Sequence, residues 1–121
     1  MSPGSPSIQD IQALVCVRFG VTVEQLRGER TDRAISQPRQ AAMWLARRAS
    51  HSTGKIARAF GHRDPTTVGY AVRHVDQLIG EHPIEWGALM TVLAIEAGGH
   101  GTPLNGAMTV LAERVDKFGD V

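Results

Sequence analysis

Gly61-His62-Arg63-Asp64-Pro65-Thr66-Thr67-Val68 separates two helical patterns, and this octet leaves the chain few ways to fold. Upstream, residues 53 to 60 are long enough for about two helical turns, with Ile56 and Phe60 four apart on one face. Gly61 can take the positive φ that ends a helix at little cost. Asp64 then offers a carboxylate to the free amides of the next turn, and Pro65 falls at the first helical position. Val68, Ala71, Val72, Val75, Leu78 and Ile79 follow at helical spacing. Two helices joined by so tight a turn predict a helix-turn-helix.

The flanking sequence extends the helical pattern on both sides. A first helix is expected from Ser7, with Asp10 at capping-box distance and Ile8, Ile11, Leu14, Val15 and Phe19 facing inward, until Gly20 stops it. A short second helix starts at Thr22, where Thr22 and Gln25 have capping-box spacing and Val23 and Leu26 can pack inward. Residues 28 to 35 lack apolar periodicity and read as a basic loop. Ser36 is the expected cap of a third helix reaching about Ser50, with Pro38 tolerated in its first turn. Ala42, Leu45, Ala46 and Ala49 are its close-packing positions, and Arg39, Arg47 and Arg48 lie outside. His82-Pro83 closes the long helix, and residues 84 to 97 are apolar on nearly every side. After a break at residues 98 to 103, Leu104, Met108, Leu111, Val115 and Phe118 mark one stripe of a final helix. The expected fold is all-α: a compact helical domain with a helix-turn-helix plus a C-terminal helical hairpin.

Charge is segregated along the chain. Residues 27 to 75 hold 10 basic side chains against 3 acids, a balance of +7, whereas the remainder carries −6. A field of that kind suits a polyanionic partner, because Lys and Arg that neutralise phosphates release counterions; a solvated basic face is the plainer alternative. Within a helix-turn-helix the N-terminal residues of the second helix enter the major groove, which places Pro65, Thr66, Thr67 and Tyr70 at the base edges. Arg63, Arg73 and His74 flank them at phosphate positions, and Asp64 orients the helix start.

Other chemistries find little support. Cys16 stands alone in a helical pattern, so no disulfide frame exists. The 5 histidines show no paired metal spacing, and no catalytic constellation is evident. Neither a catalytic residue, a metal site nor a cofactor is expected, and Trp44 and Trp86 read as packing residues. No apolar run approaches the roughly 20 residues that span a bilayer, and the N-terminus has no leader pattern. A cytoplasmic, nucleoid-associated protein is expected.

Residues 27 to 48 (R-G-E-R-T-D-R-A-I-S-Q-P-R-Q-A-A-M-W-L-A-R-R), residues 51 to 71 (H-S-T-G-K-I-A-R-A-F-G-H-R-D-P-T-T-V-G-Y-A) and the leading I-Q-x-x-V pattern resemble the C-terminal DNA-binding domain of bacterial DnaA replication initiators. The likeness covers about residues 8 to 80. Its most specific parts are Pro38-Arg39-Gln40 and the run from Phe60 through Val68, where the family typically reads F-G-G-R-D-H-T-T-V. It implies a Trp-repressor- or DnaA-like helix-turn-helix and double-stranded DNA as partner. By the resemblance Asp64, Thr66 and Thr67 take major-groove reading positions, Arg39 and Gln40 backbone-contact positions, and Arg30 and Arg33 belong to the basic loop. Two departures stand out. The family's base-reading His is replaced by Pro65, whose side chain has no donor or acceptor. The arginine that the family inserts into the minor groove falls at Thr31, with Arg30 or Arg33 able to shift into the role. Loss of one such base contact costs about 1 to 3 kcal/mol of discrimination, so the familiar target box is not assumed.

DnaA initiators also carry an ATPase domain, and this chain has no G-x-x-x-x-G-K-[ST] phosphate loop; it is not expected to act as a complete initiator. The expected organisation is a disordered N-terminus over residues 1–7, the helix-turn-helix domain over 8–81 and a helical extension over 82–121. The expected function is sequence-preferring duplex binding that regulates transcription or replication. The alternative is a helical adaptor that works through residues 84–118 as a surface for a second copy or another protein.

Overall fold

A computed structural model describes residues 6–98, which form six α-helices and one π-helical turn with no strand among the described residues. The helices are α1 (Ile8–Phe19), α2 (Val23–Arg27), α3 (Arg33–Arg48), α4 (Thr53–Ala59), α5 (Pro65–Glu81) and α6 (Ala88–Glu96), with the π turn at Pro83–Gly87. The expected final helix and most of the break before it lie outside the described residues.

Local signals account for most helix ends. Ser7 accepts from the Asp10 amide at 3.0 Å, and Gly20 closes α1 in the left-handed region at φ 69°. Thr22 and Gln25 form a reciprocal capping box at the start of α2. Ser52 caps α4 through the Lys55 amide. Asp64 caps α5, accepting from the Thr66 amide at 2.8 Å, and Pro65 stands at its first position.

Helix α3 corrects the sequence reading. It begins at Arg33 with Asp32 as N-cap rather than Ser36, so the basic loop is shortened to residues 28–32 and Ile35 is buried in the first turn. Asp32 makes no capping bond with its side chain; its two carboxylate oxygens accept from Arg30 instead, at 2.9 Å each. Pro38 consequently sits inside the helix rather than in its first turn, and the bond its amide would have given the Ala34 carbonyl is missing. A second correction concerns Val23, which is exposed, leaving Leu26 as the buried side chain of α2.

The core runs through all of these elements. Ile11 and Val15 of α1, Leu26 of α2, Met43 and Trp44 of α3, Ile56 and Phe60 around α4, Val68 and Val75 of α5, and Met90 and Leu93 of α6 share one cluster. Each large side chain so buried contributes about 1.5 to 3 kcal/mol. Helix α6 packs against α3 and α1 as well as the π turn; Val92 and Ile95 on its outer face are exposed at 39% and 53%, as is Ile84 of the π turn at 45%. Two polar side chains are paired across the core. Gln12, the glutamine of the I-Q-x-x-V pattern, donates to the Ala59 carbonyl at the end of α4 at 3.0 Å. The Trp44 indole donates to Asp76 at 2.8 Å, joining α3 to α5, and Arg48 lies over its ring at 5.3 Å.

Candidate nucleic-acid interface

The turn between α4 and α5 is built from two consecutive left-handed residues, Gly61 at φ 91° and His62 at φ 59°. Only glycine suits the first position for two reasons. Its φ disfavours a side chain, and a Cβ placed there would run into the Arg27 carbonyl oxygen. His62 adopts the same region where the family pattern has a second glycine, a conformation that costs a side chain on the order of 1 kcal/mol. The Arg63 amide then reaches back to the Ala57 carbonyl at 3.0 Å and aims the chain into α5.

The front of α5 presents a short polar ladder. The Asp64 carboxylate accepts from both the amide and the hydroxyl of Thr66, the latter at 2.7 Å, and these bonds hold the carboxyl below its ordinary range. Thr66 is thereby spent on the cap, whereas Thr67 and Tyr70 are exposed with no side-chain hydrogen bond among the described residues. Tyr70 lies parallel to His74 with ring centroids 6.1 Å apart. Pro65 and Arg73 are also exposed on this helix.

A cleft of about 310 Å³ opens between the basic loop, α3 and α5, and Thr31, Gln40, Arg63, Thr67 and Tyr70 line it. The structure thus brings together Arg39, Gln40, Arg63, Thr67 and Tyr70, three of them read from the helix-turn-helix and two from the Pro38-Arg39-Gln40 motif. Arg33 projects from the first turn of α3 outside this cleft and is exposed. Arg30 is exposed too, but its guanidinium is engaged by Asp32 and its charged form is favoured by that bond.

Arg39 departs most from expectation. It is 5% exposed rather than on the outer face. Its guanidinium donates to the carbonyls of Leu26 at 2.8 Å, Arg30 at 2.7 Å, Gln25 at 3.0 Å and Gly28 at 3.1 Å. Burial, and after it the neighbouring Arg63 charge, lower the Arg39 pKa, with Asp32 opposing. Arg63 donates to the same Gly28 carbonyl, while its Nε is buried without a partner. The sequence signalled the motif but not this role, because the acceptors are main-chain groups 9 to 14 residues upstream.

Among the described residues no group of three or more His, Cys, Asp or Glu could hold a metal ion, and no helix is long and apolar enough to cross a membrane. Cys16 is half-buried, and burial pushes its thiol pKa up.

Comparison with known proteins gives a consistent result. The family model described as bacterial dnaA protein helix-turn-helix matches residues 8–75. The chain is 44% identical over 79 residues to the chromosomal replication initiator protein DnaA of Caulobacter sp. (strain K31), covering 64% of this chain and 16% of that protein. It is 45% identical over 76 residues to the same-named protein of Caulobacter vibrioides (strain NA1000 / CB15N), covering 62% and 16%. The counterpart from Dechloromonas aromatica (strain RCB) is 44% identical over 72 residues, covering 59% and 16%.

Proposed function

The chain belongs to the family of bacterial DnaA helix-turn-helix domains, and from that premise we propose that it binds double-stranded DNA with a sequence preference and so regulates replication or transcription. In this reading the front of α5 enters the major groove. Thr67 and Tyr70 face base edges, Asp64 and Thr66 fix the angle of entry, and Pro65 offers an apolar surface suited to a thymine methyl. Gln40, Arg63 and Arg73 lie within reach of the flanking backbone, with Arg33 and Arg30 along the loop side. A nucleoid location follows from the same reading.

The observation that carries the proposal is the cleft itself: exposed Thr67 and Tyr70 share one concave surface with Gln40 and Arg63, inside the segment of +7 balance. Selection of bound sites from random duplexes, followed by a salt titration, tests it. A defined site and an affinity that falls steeply with salt are expected. Thr67→Ala should relax the site preference, and Arg73→Ala should weaken all duplexes alike while reducing the salt slope by about 1. Absence of duplex binding at about 50 mM salt, where backbone contacts are strongest, would overturn the proposal.

A second reading rests on Ile84, Val92 and Ile95, which leave an apolar outer face beside the π turn. It makes the C-terminal side an interaction surface. Light scattering of the full chain against Val92→Ser/Ile95→Ser tests it: a fall in mass supports the reading, and equal masses with unchanged DNA binding remove it.

A further inference from the structure

The basic loop and the recognition helix are separate in sequence, yet the loop is tied to α3 by one arginine and to the turn before α5 by two further contacts. Arg39 places four donors on four carbonyls of residues 25 to 30. Arg63, one residue before the α5 cap, donates to one of those same carbonyls, that of Gly28. Gly61 lies so close to the Arg27 main chain that no Cβ fits between them. Two guanidinium charges therefore converge on Gly28, and neither has a carboxylate within ion-pair distance among the described residues. Such an arrangement is costly, since like charges repel and main-chain dipoles compensate them only in part. What it provides is geometry, because a planar fork with several fixed donors can hold several carbonyls in one orientation.

Building on the DNA-binding reading above, we propose that Arg39 and Arg63 form a latch that makes the basic loop and the recognition helix a single reading unit, so that Arg30 in the loop and Arg33 just beyond it contribute to DNA binding only while the latch is closed. Arg39 is then a positioning residue without a phosphate contact of its own. Its side chain is 5% exposed, at the wall of the cleft, with its donors turned to the loop carbonyls. Loop residues 28–32 carry no apolar side chain, so between the buried Leu26 and Ile35 the side-chain bonds that hold their carbonyls come from Arg39 and Arg63.

Arg39→Lys keeps the charge but cannot span four carbonyls, and it separates positioning from direct contact. A lysine at a phosphate contact would bind much as the parent does. A broken latch should instead weaken binding by about tenfold, comparable to Arg30→Ala/Arg33→Ala. Adding those two changes to Arg39→Lys should then cost less than about threefold more, while Thr67→Ala should cost the same fold in either background. Arg63→Lys, which removes only the Gly28 link, should show the same pattern more weakly.

Amide exchange on the DNA-free protein gives an independent readout. The amides of residues 28–32 should exchange at least about tenfold faster in Arg39→Lys, with those of α3 and α5 unchanged. Parental binding by Arg39→Lys, or effects that simply multiply with Arg30→Ala/Arg33→Ala, would overturn the latch. Unchanged loop exchange would overturn it too, and that outcome stands apart from any failure of the parent to bind DNA.

Discussion

Two junctions in this chain carry the same local signal, a proline at the first position of the next helix, and they are built differently. Between α4 and α5, Asp64 precedes Pro65, and its carboxylate binds the Thr66 amide and hydroxyl. Two left-handed residues make the turn tight, and Arg63 ties it to the loop. Between α5 and α6, His82 precedes Pro83 and offers no capping bond. There the chain continues through a π turn held by main-chain bonds, with the Trp86 amide on the His82 carbonyl at 2.8 Å. The Thr91 hydroxyl turns back to the Gly87 carbonyl at 2.7 Å where the π turn gives way to α6. A proline sets where a helix can start; the residue before it and the acceptors around it decide whether the start is pinned. The first junction is pinned by side-chain bonds at its cap and positions a surface, whereas the second joins main-chain bonds to the apolar burial of Met90 and Leu93.

The largest effect should come from making the first junction impossible. Gly61→Val would force a branched side chain to a positive φ against the Arg27 carbonyl, and a loss of about 3 to 5 kcal/mol is expected in denaturant unfolding. Met90→Ala tests the second junction by opening a cavity under α6. Its expected cost is about 2 to 4 kcal/mol, with duplex binding retained at temperatures where the variant is folded. Equal damage to DNA binding from both substitutions would erase the contrast.

A smaller and opposite effect is expected at His62. His62→Gly relieves the left-handed strain at the turn and should stabilise the protein by about 1 kcal/mol at most, since glycine also frees the unfolded chain. The smallest effect concerns pH. Hydrogen bonds from Thr66 hold the folded Asp64 pKa below the ordinary value. The stability they confer is therefore present above the unfolded carboxylate pKa and fades as pH falls through the folded one. Fraying of the first turn of α5 under acid, followed by amide exchange at Thr66 and Thr67, should be absent in Asp64→Asn, which does not titrate.

Much of the fold was legible because its helix ends are written locally. Ser7, Gly20, Thr22 with Gln25, Gly61 and Asp64-Pro65 each announce themselves within four residues, and each stands where the periodicity places it. The start of α3 was not legible: its first turn offers one buried apolar residue, Ile35, and Asp32 gives its carboxylate to Arg30 instead of the helix. The burial of Arg39 escapes the sequence for a related reason. An arginine on a polar stretch suggests solvent, and the carbonyls that bury it come from a segment without periodicity. The front of α5 was read from spacing alone, but the cleft that unites Gln40 with Thr67 and Tyr70 depends on how α3 crosses α5, which no local pattern encodes.

Pro38 leaves the hydrogen-bond ladder of α3 one rung short, at the Ala34 carbonyl. The first turn of that helix is thus joined to the rest by fewer amides than any interior turn, while one residue further on Arg39 is fastened to the loop on four sides. Compliance and rigidity meet at adjacent positions. Arg33 rides on the turn ahead of that gap, and the buried Ile35 two residues on is what seats this turn against the core.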